Sequence, residues 1–254
     1  VLLRRTSDGR LRQHLATYLV GNVFSLFTPG GFGSDAYRVY AVGRVGVDRW
    51  LLAGVVLRER LVGLLGFLAL FTAGSLLWLH GQAGSEAALR FGAWAGLAVR
   101  TGAVLTGVGT LAVLLSPALR RRLAARLRAR LPRLGTLVEH AAFPSIGEAL
   151  TVLALTAVML ASWWLGALLL ARDLELAVGP GYLAALLALT EVSRFLPISV
   201  QGIGVREAVF LTGVRLVGGA GEEGVLLVVV LYTLNMTMQL GLSGLGLGLR
   251  GRPA

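Results

Sequence analysis

The chain has 254 residues, of which 56% are hydrophobic and 15% are charged, and its net charge is +11. Soluble domains carry about 25% charged residues, so this composition excludes an ordinary water-soluble domain. The absence of cysteine excludes disulfides and thiolate metal sites, and the three histidines lie far apart, so neither a metal nor another cofactor is expected.

Arginine supplies all of the basic side chains, and the arginines lie in short segments between long apolar runs. This pattern is typical of membrane proteins, whose cytoplasmic loops are enriched in basic residues. A basic surface for nucleic acid is the alternative interpretation of the net charge, and the placement of the arginines argues against it. We expect a membrane protein and no nucleic-acid partner.

The first apolar stretch, His14–Gly33, ends in Thr28-Pro-Gly-Gly-Phe-Gly33. Proline removes a backbone donor and glycine weakens a helix, so this stretch is predicted to break into half-helices. Asp35 and Arg38 follow at i, i+3 spacing, where helical neighbours can pair and so lower the cost of charge in lipid. The predicted binding residues at this tip are Pro29, Gly31, Gly33, Asp35 and Arg38.

Four uninterrupted apolar segments are long enough to span a bilayer, because about 20 helical residues cross about 30 Å of hydrocarbon. They are Leu61–Leu79, Leu97–Ser116, Ala149–Ala171 and Gly224–Leu249. A charged cluster stands immediately before the first of these spans. Its members, Arg58, Glu59 and Arg60, belong either to a binding site or to interhelical salt bridges that seal the fold.

The segment Leu119–Arg133 contains seven arginines, and leucine recurs in it every four residues. One apolar stripe on a basic helix is typical of an interfacial helix on anionic lipid. We therefore predict a cytoplasmic, basic, amphipathic loop over residues 117–145, with a specific lipid-headgroup site as the alternative.

The second interrupted stretch, Gly181–Val217, is broken by Leu196-Pro-Ile-Ser-Val-Gln-Gly-Ile-Gly204. An ionisable side chain in the bilayer centre costs roughly 2.5–3.5 kcal/mol, so Glu191 should face protein or a wet cavity. Broken helices expose N–H groups that attract anions, and arginine offers bidentate donors to phosphate. We predict a lipid-phosphate site, with sealing salt bridges as the alternative, at Glu191, Arg194, Pro197, Ser199, Gln201, Gly202, Gly204, Arg206 and Glu207.

Charge placement predicts how the two interrupted stretches enter the membrane. With the 117–145 loop inside, Gly181–Val217 begins and ends outside, whereas His14–Gly33 has basic residues on both sides and dips from the inside. Re-entrant hairpins from opposite faces are typical of inverted repeats, in which broken helices frame a site near the midplane. The predicted fold is all-α: a polytopic helical membrane protein with two oppositely oriented re-entrant hairpins, in one domain over residues 1–254.

Four motifs carry a likeness to a known family: Phe27-Thr-Pro-Gly-Gly-Phe-Gly-Ser-Asp-Ala-Tyr-Arg38, Val42-Gly-Arg44, Val56-Leu-Arg-Glu-Arg60, and Glu191-Val-Ser-Arg-Phe-Leu-Pro-Ile-Ser-Val-Gln-Gly-Ile-Gly-Val-Arg-Glu207. The sequence resembles the flippase-like family that includes the transmembrane region of lysylphosphatidylglycerol synthases. The resemblance covers nearly the whole chain. Family members usually carry one or two further N-terminal spans, so we expect the chain to lack its first spans.

The resemblance implies a role in moving or presenting a phospholipid or polyprenyl-linked lipid between leaflets of a bacterial or archaeal cell membrane. Synthase members carry an aminoacyl-transfer domain after the membrane region, and the chain ends at Ala254 after its last span. We therefore expect no enzyme activity. Two alternatives stay open: a scaffold for a lipid-modifying synthase or glycosyltransferase partner, and a membrane enzyme acting on lipid phosphates with Glu191 or Glu207 as general base.

Overall fold

Helices account for nearly all of the chain that the structure describes. The computed structural model describes residues 10–44, 48–81, 101, 103–105, 107–109, 112, 116–141, 143, 145–194 and 199–249. In chain order its helices are α1 Arg10–Leu26, α2 Phe32–Gly43, α3 Arg49–Gly81, α4 Pro117–Arg130, α5 Pro132–His140, α6 Ile146–Asp173, α7 Pro180–Ser193, α8 Val205–Leu216 and α9 Gly221–Leu249.

Among the described residues, three helices are long and apolar enough to cross a membrane: α3, α6 and α9. They contain the spans predicted at Leu61–Leu79, Ala149–Ala171 and Gly224–Leu249. Most of the predicted span Leu97–Ser116 lies outside the described residues, although 103–105 and 107–109 are helical. The outer faces of the long helices expose large apolar side chains, as lipid-facing surfaces do. The all-helical membrane character is confirmed.

Both predicted interruptions are observed. Between α1 and α2, Gly30 and Gly31 have φ values of 61° and 68°. Between α7 and α8, Gly202 and Gly204 have φ values of 76° and 87°, and Gln201 has the same left-handed sign at 55°. Glycine adopts this conformation without steric cost, which explains why the glycines cluster where each helix stops.

The basic segment forms two helices instead of the single predicted one. α4 ends at Arg130 and α5 begins at Pro132, because the residue before a proline is disfavoured in the helical conformation. Leu131, one of the four leucines of the predicted stripe, therefore lies outside both helices and is exposed. α5 packs against α3, where Gly54 lies beside Leu137 and His140. The placement of this loop in the cytoplasm stays a prediction.

The helices pack in a reciprocal pattern around the two interruptions. α1 packs against α2 and along α9, while α7 packs against α8 and along α3. α2 also contacts α3, and α8 contacts α9. The first arm of each interrupted pair thus lies on the long helix that follows the other pair. The main apolar core joins α6, α7, α8 and α9, with Leu183, Leu187, Phe210, Val214 and Leu227 fully buried.

Candidate functional site

The two interruptions meet in space. Pro29 and Val200 form an antiparallel β-bridge, and the side-chain nitrogen Nε2 of Gln201 donates a hydrogen bond of 2.7 Å to the carbonyl oxygen of Ser25. These contacts join positions about 170 residues apart in the sequence, as the 176-residue separation of Gln201 and Ser25 illustrates. The first tip (Thr28–Gly33) and the second tip (Ser199–Gly204 among the described residues) therefore form one region.

Arg194, at the end of α7, links a buried carboxylate to this tip region. Its Nη1 donates to Glu191 Oε2 at 2.7 Å, and its Nη2 donates to Gln201 Oε1 at 3.0 Å. Gln201 is only 4% exposed, and its amide nitrogen continues the chain of contacts to Ser25. The predicted i, i+3 pair of Glu191 and Arg194 is confirmed, and it is part of a network that spans both tips.

Tyr232, on α9, supplies the other side of the site. Its hydroxyl donates to Glu191 Oε1 and lies 3.4 Å from Thr190 Oγ1. Its ring lies under Arg206, with the guanidinium carbon 3.8 Å from the ring centroid. The indole of Trp163 packs edge-on against the same ring at 5.3 Å between centroids. Tyr232 therefore contacts Glu191, Arg206 and, on α6, Trp163.

Arg206 is the buried cation of this site. It is 1% exposed, and its Nε and Nη1 have no hydrogen-bond partner within the described part of the chain. The indole nitrogen of Trp163 is likewise buried and unpartnered there. Buried donors are normally satisfied, and a buried charge without a partner is costly. Unused donors on a buried cation are the property that an anionic ligand would satisfy.

Gly202 makes room for both arginines. A Cβ atom at this position would lie 3.0 Å from Cγ of Arg194 and 3.1 Å from Nε of Arg206. Its φ of 76° is also one that side chains rarely adopt. Space and backbone conformation therefore both require glycine here.

Glu207 has a structural partner. Its Oε2 accepts a hydrogen bond of 2.6 Å from the backbone N–H of Gly204, so the carboxylate caps the first turn of α8. Ser199 lies half-buried beside the tip, whereas Pro197 lies outside the described residues. Of the predicted members of the second tip, Arg194, Gln201, Gly202 and Arg206 are brought together with Glu191.

The charged residues of the first tip form a separate cluster. Arg60 Nε contacts Asp35 Oδ2 at 2.5 Å, and Arg38 Nη1 contacts Glu59 Oε2 at 2.8 Å. Arg60 also donates to the carbonyl oxygen of Gly30 at 3.1 Å. Two cations and two anions compensate each other here. The arrangement favours the interpretation as salt bridges that hold α2 and the first tip against α3.

The glycines of the first tip shape its turn. Thr28 Oγ1 accepts a hydrogen bond of 2.8 Å from the N–H of Gly33, and a Cβ on Gly33 would press against the Thr28 side chain. Gly31 N–H donates to the carbonyl oxygen of Thr28 at 3.2 Å. Pro29, Gly31 and Gly33 thus fix the backbone that meets Val200 of the second tip.

Arg58 contacts the start of α6. Its Nη2 lies 3.1 Å from Oε1 of Glu148 on α6, and both side chains are buried. The Glu148 oxygen lacks the alignment of a hydrogen bond, so the contact is an ion pair only. Arg58 also stacks over the ring of Phe143 at 4.9 Å. It joins α3 to the start of α6 and lies apart from the Arg60 cluster.

Comparison with protein families matches residues 1–244 to the lysylphosphatidylglycerol synthase TM region. The chain belongs to this family. The resemblance stated from the Pro-Gly and Arg-Glu motifs is therefore confirmed. No curated protein and no solved structure is similar enough to count as a match. Membership in a lysylphosphatidylglycerol synthase TM region family, together with the apolar helices, supports a lipid-related role in a membrane.

Sequence reasoning missed three partners in this TM-region protein: Tyr232, Trp163 and Ser25. Tyr232 lies inside an apolar span, and a hydroxyl buried in a span usually has a hydrogen-bond partner. Its position in the span is the only sequence feature that could have indicated its role. Trp163 lies in the middle of an apolar helix, where a tryptophan gives no signal beyond packing. Ser25 contributes through its backbone carbonyl, which no side-chain pattern can reveal.

An apolar groove of about 870 Å³ runs between α3, α6 and the helical residues 103–104 and 107–108 of the TM-region protein. Small side chains on both walls open it, among them Gly66, Ala69, Gly107 and Ala157. Trp164 lines the groove, and its indole nitrogen donates to the carbonyl oxygen of Pro180 at 3.1 Å. Its sequence neighbour Trp163 contacts Tyr232. Consecutive residues of α6 therefore line the groove (Trp164) and contact the polar site (Trp163).

Proposed function

We propose that this chain moves or presents an anionic phospholipid, or a polyprenyl-phosphate-linked lipid, between the leaflets of a bacterial or archaeal cell membrane. The observation that carries the proposal is Arg206: a buried guanidinium whose Nε and Nη1 have no partner among the described residues, at the place where two interrupted helix pairs meet. The lipid phosphate binds there while the acyl or prenyl chains stay in apolar surroundings.

The chemistry of the site favours a phosphate. The unpartnered Nε and Nη1 of Arg206, within the described residues, suit charge-assisted hydrogen bonds to phosphate oxygens, and the N–H groups at the start of α8 favour negative charge. Arg194 lies beside Arg206 across Gly202 and adds positive potential. The apolar groove next to Trp164 offers space for a hydrocarbon chain of the same lipid.

The proposal includes an inverted repeat with two re-entrant hairpins in a multi-pass protein. α1, α2 and α3 correspond to α7, α8 and α9 in order and in their reciprocal contacts. Aligning Gly31-Phe-Gly33 with Gly202-Ile-Gly204 pairs Pro29 with Val200, and these two residues form the β-bridge. An antiparallel contact between a residue and its own counterpart is what a two-fold axis passing between the two tips would produce. Broken helices meeting at such an axis frame a site near the midplane.

Transport without covalent chemistry is the function that the geometry supports best. The two oxygens of Glu191 are engaged by Arg194 and Tyr232, and Glu207 accepts from the backbone of α8. A general base needs a carboxylate oxygen open to the proton that it abstracts. Both oxygens of Glu191 are occupied in this way, and Glu207 commits one of its two oxygens to the cap of α8.

The test is a leaflet-exchange assay with the full chain reconstituted in liposomes that contain a fluorescent phosphatidylglycerol. Wild-type protein is expected to expose inner-leaflet lipid to an external quencher. Arg206→Gln should slow exchange by about tenfold or more, because a charge-assisted hydrogen bond contributes roughly 1.5–3 kcal/mol. A labelled polyprenyl phosphate, used in parallel, distinguishes the two lipid classes.

Arg172→Gln is the matched control, because Arg172 is an exposed arginine at the end of α6. It should exchange lipid at the wild-type rate. Folded wild-type protein that exchanges neither lipid would overturn the proposal, and so would an Arg206→Gln variant as active as wild type.

A further inference from the structure

Glu191 and Arg206 carry opposite charges and contact the same phenol, yet the unused donors of Arg206 are not paired with Glu191. Arg206 lies over the ring of Tyr232, and Glu191 accepts from its hydroxyl. Opposite charges attract strongly where water is excluded, and both side chains are buried. The contacts around Glu191 must therefore explain why Nε and Nη1 of Arg206 have no partner in the described part of the chain.

Each oxygen of Glu191 has its own partner. Oε2 accepts from Arg194, and Oε1 accepts from the hydroxyl of Tyr232. The hydroxyl also lies 3.4 Å from Thr190 Oγ1, and the ring packs against Trp163, so Tyr232 is held from two sides. Removing the hydroxyl would release one oxygen of Glu191 while leaving the aromatic ring under Arg206.

We propose that Tyr232 is a positioning residue that holds Glu191 away from Arg206 and thereby keeps Arg206 open to an anion. The inference rests on the proposed function, since it assumes that the anion at Arg206 is the lipid phosphate. Glu191 is then a latent competitor of the ligand. The phenolic oxygen restrains this competitor, and the ring face supports the guanidinium.

This role predicts opposite effects for two substitutions in direct contact. In Tyr232→Phe, the released oxygen of Glu191 turns to Arg206 and competes with the anion, so anion affinity falls. In Glu191→Gln, no negative charge remains to compete, so anion affinity stays at the wild-type level or rises. The double variant Tyr232→Phe with Glu191→Gln therefore recovers binding. A purely structural role for Tyr232 predicts instead that the double variant binds no better than Tyr232→Phe.

The experiment measures the Kd of short-chain dihexanoyl phosphatidylglycerol by calorimetry, with the full chain in detergent micelles. Tyr232→Phe is expected to raise the Kd about tenfold, and the double variant to return it to within about threefold of wild type. Tyr40→Phe is the matched control, because Tyr40 also contacts an arginine, Arg44, with both its hydroxyl and its ring but is exposed. It should bind like wild type.

The outcomes separate the two proposals. A Tyr232→Phe variant with wild-type affinity, or a double variant as weak as Tyr232→Phe alone, overturns the role of Tyr232 and leaves the proposed function standing. A wild-type protein that does not bind the probe overturns the anion site and this role together. If Tyr232→Phe fails to fold, Glu191→Gln alone decides: weaker binding than wild type overturns the inference.

Discussion

The arginines of this protein differ in whether a carboxylate lies beside them. Arg38 and Arg60 are compensated by Glu59 and Asp35, and Arg194 is compensated by Glu191. Arg206 is more deeply buried than any of these and keeps two donors unused within the described residues. Because an uncompensated buried charge is unfavourable, a site of this kind is stabilised by the anion that it binds.

Gly202 allows a prediction at the same scale. Gly202→Ala should lower lipid exchange several-fold, because the new methyl group lies against Arg194 and Arg206 at 3.0 and 3.1 Å. It should also cost about 1–2 kcal/mol of stability from the left-handed backbone. Exchange in liposomes and thermal unfolding in detergent measure the two effects.

Gly218→Ala separates strain from contact with the site. Gly218 has a similar φ of 83°, but a Cβ there would meet nothing within 4 Å. This control should lose similar stability and keep wild-type exchange. Equal loss of exchange in both variants would show that strain alone accounts for the effect and that Gly202 has no special place beside the arginines.

The two interrupted helix pairs are the elements that create the site. Each interruption exposes backbone groups that a continuous helix would satisfy internally, and the tips satisfy part of this need on each other through the Pro29–Val200 bridge and the Gln201–Ser25 hydrogen bond. Half-helices alone would leave these groups unpaired in an apolar medium. The meeting of the tips therefore stabilises the very breaks that form the site.

A disulfide tests this contact directly. Residues paired in an antiparallel bridge have Cα atoms about 4.5–5.5 Å apart, within the roughly 4.4–6.8 Å that a disulfide spans. Pro29→Cys with Val200→Cys should therefore oxidise to an intramolecular disulfide, detected by the mass of a linked peptide. The sequence has no cysteine, so no background thiol interferes.

The control pair joins Pro29→Cys with Ile203→Cys, an exposed position three residues further along the second tip. It should cross-link far less. Equal cross-linking in both pairs, or none in the bridge pair, would contradict the described contact of the tips.

For the whole molecule, apolar side chains cover the exterior, and a small polar cluster lies inside an otherwise apolar interior. Apolar side chains such as Leu155, Val158 and Leu234 are exposed on the long helices, while Glu191 and Arg206 are buried between them. A water-soluble protein has the reverse arrangement. The exterior fits hydrocarbon, and under the proposed function the buried polar cluster receives the lipid headgroup.

The proposed topology makes a prediction for the whole molecule. Single-cysteine variants at Arg128, Asp173 and Ala220, all exposed positions, should divide into two groups towards a membrane-impermeant thiol reagent applied to oriented membranes. Arg128→Cys should label from the cytoplasmic face, and Asp173→Cys and Ala220→Cys from the opposite face. Reagent added after membrane permeabilisation is the control and should label all three. Arg128→Cys and Ala220→Cys labelling from one face would contradict the second re-entrant hairpin.

The sequence by itself determined the features that depend on neighbouring residues. Runs of about 20 apolar residues marked α3, α6 and α9, and the proline and glycine clusters marked the two interruptions. The Glu191–Arg194 pair follows from i, i+3 spacing. Pro132 indicates the division between α4 and α5, but the four-residue spacing of the leucines alone predicted one continuous helix.

Only the tertiary structure decided which distant groups share one site. Tyr232 reaches Glu191 across 41 residues, and Arg60 reaches Asp35 across 25, because α9 and α3 bring them alongside. The spacing of residues along the sequence does not predict such pairs, because it does not show which helices pack against each other. Within the described residues, the lack of a partner for Nε and Nη1 of Arg206 is likewise a property of the assembled helices, as is the engagement of both Glu191 oxygens by Tyr232 and Arg194.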